Sequence, residues 1–213
     1  MGAAYFSLHC TLTLGWMTGL IGEIRSDTGV PTTDQLRCNS CPCVGGSAIF
    51  GNIQFKINAI YKELSNNYFD KLTKKRRSQF GANMIKTKDT FREISRLSKL
   101  KPLNFYGFAS DQSPKLKKAV YWGNFFNNWV PIHVGAEVIA KKYNMAIVFM
   151  DVQKLKRGYY EASLKLITEN PNEFKDFELT DIYIDLVEKQ VSKKPEYYTW
   201  THKRFKHRRD IPK

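Results

Sequence analysis

The sequence predicts an α/β fold, in a single domain with a mainly parallel central sheet flanked by helices. From residue 57 onward, short apolar runs alternate with segments of helical period, the order that helix-connected parallel strands produce. The 213 residues are 42% apolar and 14% aromatic, which is enough to bury one sizeable core. Because no internal repeat or low-complexity segment interrupts this order, one domain is the simplest organisation.

The first ordered elements are predicted between residues 57 and 109. Residues 57–61 form a short apolar run that is typical of a buried strand. A helix is expected next, with Ser65 or Asn66 as its cap and Gly81 just beyond its end. A short strand at 83–86, a helix at about 88–100 and a strand at 104–109 should follow.

The second half of the chain repeats the alternation. Residues 133–143 have a helical pattern, 145–152 form a continuous apolar run like a central strand, and 158–167 alternate as an edge or antiparallel strand does. A last helix is expected over 179–193, closed by Pro195. Aromatic residues crowd 121–129; this segment is predicted to be core, with an apolar-chain groove or a bilayer-facing patch as the alternative.

Residues 1–46 differ from the rest in composition. They are rich in Gly, Thr, Cys and Ser and have no helical or strand period, so no regular structure is predicted there and the α/β domain is assigned to residues 47–213. All four cysteines lie in this segment. The spacing Cys38-x-x-Cys41-x-Cys43 lacks the second pair of a zinc site, so no metal site is predicted.

The charge of the chain is uneven. The net charge is +14, but the first 50 residues carry −1, so the remainder carries +15. Such a surface attracts nucleic acid, anionic lipid or an acidic protein. No segment reaches the roughly 18–20 consecutive apolar residues of a spanning helix, so contact with a membrane is expected at its surface.

Two segments carry candidate functional residues. The polar loop 110–115 follows a predicted central strand, where Asp111 could orient a base or bind a hydroxyl and Gln112 could hold a carbonyl or sugar oxygen. The alternative is that Asp111 initiates a turn or caps a helix. The tail 195–206 combines aromatic residues with Lys203, Arg204 and Lys206, whose donors suit phosphate or carboxylate.

Six stretches of the sequence resemble one family in their order and spacing. They are residues 60–70, the loop Ala109-Ser-Asp-Gln-Ser-Pro114, and residues 134–142, 156–161, 167–171 and 195–208. The family is that of the lipid A biosynthesis (lauroyl/myristoyl) acyltransferases of Gram-negative bacteria, in particular their Bacteroidetes-type members. The resemblance covers about residues 47–210.

The resemblance implies a glycerolipid-acyltransferase-like fold and a transferase activity in lipopolysaccharide biosynthesis. A fatty acyl group would pass from an acyl carrier protein thioester to a hydroxyl of a phosphorylated glucosamine lipid, with no cofactor. The implied partners are the acyl carrier protein or another acyl thioester, the phosphorylated glycolipid and an anionic membrane surface. The implied location is the cytoplasmic face of the inner membrane, where this chain is expected to be peripheral.

The resemblance also implies substrate-binding residues. They are Lys62, Asn66, Asp70, Asp111, Gln112, His202 and Arg204. Lys62 stands where the family commonly has an Arg facing a substrate phosphate or carbonyl, and Lys lacks the bidentate fork of Arg. Asp111 matches an acidic residue with a supporting role. The tail aromatics are expected in the core and its Lys and Arg at the lipid headgroup.

One family motif is missing from the sequence. The family abstracts the hydroxyl proton with a His that is separated by four residues from an Asp or Glu. The fifth residues after the four histidines of this chain are Leu14, Val138, His207 and Pro212. The catalytic residues are therefore unassigned, with His133 and Asp111 as candidates and His202 as an alternative base.

One hypothesis explains both the missing motif and the composition of residues 1–46. It holds that this segment is foreign to the family, through a frameshift, a mis-called start or a rearrangement, and that the acyltransferase is truncated or impaired. Sequencing the locus tests it, because an upstream His-x4-Asp/Glu segment in another frame would support it and an intact gene with this N-terminus would refute it.

Two other function classes remain as alternatives. One is a catalytically inactive domain of the same fold that binds a lipid headgroup or the carrier protein. The other is an α/β module that binds nucleic acid, for which the charge is suitable. The sequence has no helix-turn-helix, RNA-binding or zinc-finger pattern, so nucleic acid is not expected as a partner.

Overall fold

A computed structural model of the protein describes residues 19–22, 36–38, 56–78, 81–100, 104–156 and 159–210. The strands in these ranges are β1 (Gly19–Gly22), β2 (Leu36–Cys38), β3 (Lys56–Tyr61), β4 (Asn83–Lys86), β5 (Asn104–Phe108), β6 (Tyr121–Phe125), β7 (Asn128–Ile132), β8 (Ala146–Lys156) and β9 (Tyr159–Thr168). The α-helices are α1 (Asn67–Ser78), α2 (Thr90–Lys99), α3 (Gly135–Tyr143) and α4 (Glu178–Lys193). Short 3-10 turns include Leu116–Lys118, Pro195–Tyr197 and Trp200–His202.

The central sheet has the strand order β2-β9-β8-β1-β5-β3-β4. Strand β3 pairs in parallel with β4 and with β5, whereas β1 pairs antiparallel with both β5 and β8. Since β9 is antiparallel to β8 and to β2, strands β2, β3, β4, β5 and β8 all run in one direction. The α/β class is thereby confirmed, with β5, β3 and β4 as a three-stranded parallel part. The other neighbouring pairs among the described strands of this sheet are antiparallel.

The direction of the strands defines one side of the sheet, at which several strands end. Strands β3, β5 and β8 all end at the same side, which we call the carboxyl edge. The loops that follow β3 and β5 therefore leave the sheet next to each other. In sheets of this kind, ligands bind outside the carboxyl ends of the strands.

Two clusters of buried side chains hold the layers together. One packs α2 and α3 against the sheet and includes Ile94, Tyr106 and Ile139. The other packs α4 against the β6–β7 hairpin and β8, around Phe125 and Phe149. Every residue of β5 is buried, which fits its central position among apolar neighbours.

The aromatic segment 121–129 forms most of the β6–β7 hairpin. Phe125 and Val130 are fully buried in the cluster with α4, so the core interpretation applies to these side chains. The backbone N–H of Arg209 donates to the carbonyl oxygen of Trp129 at 2.9 Å, and its guanidinium lies 3.7 Å from the ring centre of Trp122. These contacts fix the C-terminal tail on the hairpin.

The first 46 residues contain β1 and β2, where no regular structure was predicted. Cys41 and Cys43 of the cysteine motif lie outside the described residues, as does most of this segment. Among the described helices, none has both the length and the apolar character needed to cross a bilayer.

Candidate functional site

The loop after β5 places Asp111 in the interior at the carboxyl edge. Its side chain is 1% exposed, and neither carboxyl oxygen has a hydrogen-bond partner on another residue among those described. The Tyr198 hydroxyl donates to the backbone carbonyl of Asp111 at 3.0 Å. Within the described residues, the Asp111 carboxyl neither caps a helix nor accepts from a donor of another residue, so the turn or cap interpretation does not explain why it is buried.

Burial changes the protonation of this carboxyl. Desolvation raises the pKa of Asp111 to about 7, and the nearby positive charge of Arg204 partly opposes the rise. An acid with a pKa near neutrality exists in both forms at working pH. Asp111 can therefore donate a hydrogen bond as the acid or accept one as the carboxylate.

Ser113 joins the β5 loop to the C-terminal tail. Its backbone N–H donates to Nε2 of His202 at 2.9 Å, and its hydroxyl donates to the carbonyl of Arg204 at 3.0 Å. The Arg204 guanidinium in turn donates through Nη1 to the Ser113 hydroxyl oxygen at 2.7 Å. Two backbone segments about 90 residues apart are thus tied together by one serine.

Arg204 lies in the interior and not at the surface where the tail cations were expected. Its side chain is 2% exposed, its Nη1 donates to the Pro131 carbonyl at 2.8 Å, and its guanidinium carbon lies 5.2 Å from the Phe125 ring centre. Its Nε and Nη2 have no hydrogen-bond acceptor among the described residues. Lys203 and Lys206 are exposed as expected.

The tail aromatics also divide between core and surface. Tyr198 and Phe205 pack against the cluster of α4 and the hairpin, as the sequence predicted. Trp200 differs, since 45% of its surface is exposed. Its indole N–H donates to the Pro195 carbonyl at 2.7 Å, which satisfies its polar group without burying the ring.

His202 is held in one tautomer by the Ser113 contact. Because Nε2 accepts the Ser113 N–H, the proton of the neutral ring must reside on Nδ1. Burial, and then the charge of Arg204, lower the pKa of His202. In this geometry the accepting nitrogen is occupied, so His202 positions the loop and its Nε2 is not free to take a substrate proton.

His133 lies in the exposed turn between β7 and α3, two residues after the Pro131 carbonyl that Arg204 binds. Desolvation, followed by the charges of Arg204 and His202, lowers the pKa of His133. The ring is therefore more readily neutral at pH 7 than a free histidine and can accept a proton. Neither His133 nor His202 has a hydrogen bond to a carboxylate within the described ranges.

The structure gives three of the predicted binding residues a position beside β3. The Asn66 side-chain oxygen accepts the N–H groups of Tyr68 and Phe69 at 3.0 and 3.3 Å, which makes Asn66 the cap of α1 as the sequence predicted. Asp70 accepts the N–H of Leu64 at 3.1 Å, so it closes the turn between β3 and α1. Lys62 is exposed at the carboxyl edge.

A small cavity of about 120 Å³ lies beside Asp111. Val152 of β8 and Val187 and Val191 of α4 form its apolar wall. Asp151 also lines it, but this carboxylate is bound by Lys165 at 2.8 Å and Gln190 at 3.2 Å. Asp111 is thus the acid in the cavity wall whose oxygens remain available within the described part of the chain.

The candidate site therefore combines predicted and unforeseen residues. The structure brings Asp111, His202 and Arg204 together and places His133 within their electrostatic influence, while Gln112 is half-buried in the same loop. Sequence reasoning did not assign the linking role of Ser113. Its position two residues after Asp111 was the available signal, but its partners come from a segment about 90 residues away.

Comparison with known proteins gives one family. The model of the bacterial lipid A biosynthesis acyltransferase family matches residues 46–207. The match spans β3 to the tail and therefore contains Asp111, Ser113, His202 and Arg204. No curated protein matches the chain.

Proposed function

Because this chain belongs to the bacterial lipid A biosynthesis acyltransferase family, we propose that it binds a phosphorylated glycolipid precursor at the carboxyl edge and transfers an acyl group to it. The donor is an acyl carrier protein thioester. The observation that carries the proposal is the cluster of buried Asp111 and Arg204 with half-buried Ser113 and His202, because it lies where ligands of such sheets bind.

The proposed reaction is a displacement at the thioester carbon. The acceptor hydroxyl oxygen forms a bond to this carbon, the carbon–sulfur bond breaks, and the hydroxyl proton passes through a base to the departing thiolate. His133 is the histidine that the geometry favours as this base, because it is exposed and its pKa is lowered. Asp111 supports the site as a hydrogen-bonding acid, and Arg204 fixes its loop.

The charge of the chain supports the proposed substrates. A net charge of +14 favours both an acidic carrier protein and a phosphorylated lipid. Exposed Lys62 at the carboxyl edge is placed to meet a phosphate, although as a point charge it orients the group less than an Arg would. We propose the cytoplasmic face of the inner membrane as the location, since the acceptor is a membrane lipid.

We propose further that turnover is impaired. The sequence lacks the His-x4-acid motif, and neither described site histidine has a carboxylate to hold its tautomer. Loss of a positioned general base typically costs about 10²–10⁴-fold in rate. The same observation favours a second candidate function, a domain that binds the headgroup or the carrier protein without catalysis.

A transfer assay separates the two candidates. The full chain is incubated with a radiolabelled acyl carrier thioester and a lipid A precursor, and acylated product and precursor binding are both measured. We expect slow product formation, with His133→Ala reducing it at least tenfold and precursor binding unchanged. Arg208→Ala, a substitution at an exposed position of the tail, serves as the control.

Each outcome of this assay is decisive. Binding of the precursor without product at any enzyme concentration would establish the non-catalytic function. Product formation that His133→Ala leaves unchanged would exclude His133 as the base. Absence of both precursor binding and product would contradict the acyltransferase function and the headgroup-binding function.

A further inference from the structure

Helix α1 carries its polar and apolar side chains on the opposite sides from those of an ordinary surface helix. None of its twelve residues is buried. The side facing the protein carries Asp70, Thr73, Lys74 and Arg77, which are half-buried and spaced three or four residues apart. The Lys74 ammonium lies 5.4 Å from the ring centre of Tyr61 in β3, so the polar side of the helix packs against the sheet.

The side of α1 facing away from the protein is apolar at its N-terminal end. Tyr68 is 86% exposed, Phe69 54% and Leu72 51%, and these positions fall on one arc of the helix. A surface helix of a soluble domain normally shows the opposite arrangement. Three large apolar side chains in one exposed turn mark an interaction surface.

The residues around this apolar arc are basic. Between positions 62 and 77 the chain has six basic and two acidic residues. Lys71, Lys75 and Arg76 are exposed on α1 itself. Glu63, one of the two acids, is paired with Lys86 and Lys88 and so does not offset the helix charge.

A second segment at the carboxyl edge has the same character. The turn Leu116–Lys118 follows the site loop of β5, and Leu116 is 48% exposed and Val120 73% exposed. Lys117 and Lys118 are exposed between them, and exposed Lys115 directly precedes Leu116. Because β3 and β5 are parallel neighbours, α1 and this turn leave the sheet at the same edge.

We infer that the Tyr68–Phe69–Leu72 face of α1, together with the Leu116–Val120 turn, is an interfacial membrane anchor that inserts into an anionic lipid surface. Apolar side chains would enter the boundary between headgroups and acyl chains, and the flanking Lys and Arg would contact anionic headgroups. This orientation turns the carboxyl edge, and with it the candidate site, toward the bilayer.

The charge argues against other occupants of this face. Two copies of the chain would bring like charges together around the apolar arc, which opposes a dimer through this surface. Nucleic acid would contact the lysines, but it would not remove the apolar side chains of Tyr68, Phe69 and Leu72 from water. A lipid surface satisfies both the apolar and the basic groups.

Vesicle flotation tests the inference without any acyl donor or acceptor, so its result is independent of the proposed reaction. The full chain is mixed with phosphatidylglycerol vesicles and with phosphatidylcholine vesicles. We expect binding to the anionic vesicles that is at least tenfold stronger than to the neutral ones. This binding should weaken in 0.5 M salt, since salt screens the attraction between the surface cations and the anionic headgroups. The double variant F69A/L72A should bind anionic vesicles at least tenfold more weakly.

The matched control is L100A/L166A, which removes two exposed leucines at the opposite edge of the sheet. This variant should bind vesicles as the unchanged chain does. Equal binding by F69A/L72A would overturn the inference. A lower melting temperature of F69A/L72A without a change in vesicle binding would also overturn it, since the face would then pack against another part of the chain. A dimer of the unchanged chain that F69A/L72A loses would overturn it as well.

Discussion

At the scale of single residues, the site depends on a buried cation that is incompletely paired. Arg204 donates from Nη1 to both the Pro131 carbonyl and the Ser113 hydroxyl oxygen, and it shares its environment with the buried Asp111 carboxyl. Burial of a guanidinium is costly unless its donors are used. The donors Nε and Nη2 are buried and lack protein acceptors in the described part of the chain.

Replacing Arg204 by Lys should destabilise the protein by about 2–4 kcal/mol, because an ammonium cannot reproduce the planar, two-acceptor geometry and its hydrogen bonds to buried groups would be lost. The free energy of unfolding in urea measures this change. Arg208→Lys is the matched control, and since Arg208 is exposed its effect should stay within about 0.5 kcal/mol. Equal effects of the two substitutions would contradict the role assigned to Arg204.

The raised pKa of Asp111 predicts a pH-dependent stability. The carboxyl is neutral in the folded protein up to about pH 7 but ionises near pH 3.9 when unfolded. Its contribution is therefore fully present below about pH 3.9 and is lost as the pH rises from there to about 7.

Asp111→Asn should remove this dependence, because the amide mimics the neutral acid at every pH. Relative to Asp111→Asn, the unchanged protein should lose about 2 kcal/mol of unfolding free energy between pH 5 and pH 8. The comparison cancels the histidines that both proteins share. A difference between the two proteins that does not vary with pH would show that Asp111 is not held neutral.

At the scale of elements, the N-terminus of α4 is fixed by one carboxylate from α3. Glu137 is buried and accepts the backbone N–H groups of Phe177 and Thr180 and the Thr180 hydroxyl at 2.6–2.9 Å. Lys141 lies 3.0 Å from the same side chain. A negative group at this position also complements the helix dipole. The position of α4 in turn shapes the cavity beside Asp111.

Glu137→Gln should destabilise the protein by about 2–4 kcal/mol, since one acceptor oxygen becomes an NH2 group that faces donors. Thermal unfolding measures the loss. Glu173→Gln, at an exposed position in the preceding turn, should change the melting temperature little. An equally small effect of Glu137→Gln would show that other contacts position α4.

Helix α1 shows that a pattern can predict an element without giving its orientation. The sequence predicted a helix after residues 57–61 with Ser65 or Asn66 as its cap, and the structure has this helix with Asn66 as the cap. The spacing of Tyr68, Phe69 and Leu72 is typical of a face that packs on the core, yet these side chains are exposed. Periodicity shows which residues share a face, whereas the neighbouring elements decide which way that face points.

At the scale of the whole molecule, strand direction determines where the candidate site lies, and the net charge determines which partners are attracted. Five of the seven strands of the central sheet run one way, so the β5 loop, the α1 turn and the end of β8 meet at one edge. The net charge of +14 makes this protein attractive to anionic partners as a whole. The exposed apolar groups of α1 then favour a lipid surface among those partners.

The amino-acid sequence was enough to predict the α/β class, the family resemblance and the order of the main helices and strands from residue 56 onward, apart from the β6–β7 hairpin. These depend on local periodicity, on capping residues and on motifs a few residues long. Asp111, His202 and Arg204 were also predicted as site residues, because each stands in such a motif, and the structure brings the three close together.

The contacts of these residues could be known only from the folded structure. Ser113 and His202 are 89 positions apart, and Arg204 is buried because the hairpin carbonyl of Pro131 and the Phe125 ring receive it. The antiparallel insertion of β1, the burial of Asp111 and the exposed face of α1 likewise depend on which distant segments meet. Local sequence patterns do not predict these contacts, because the hydrogen bonding, desolvation and exposure of a side chain depend on how distant segments pack together.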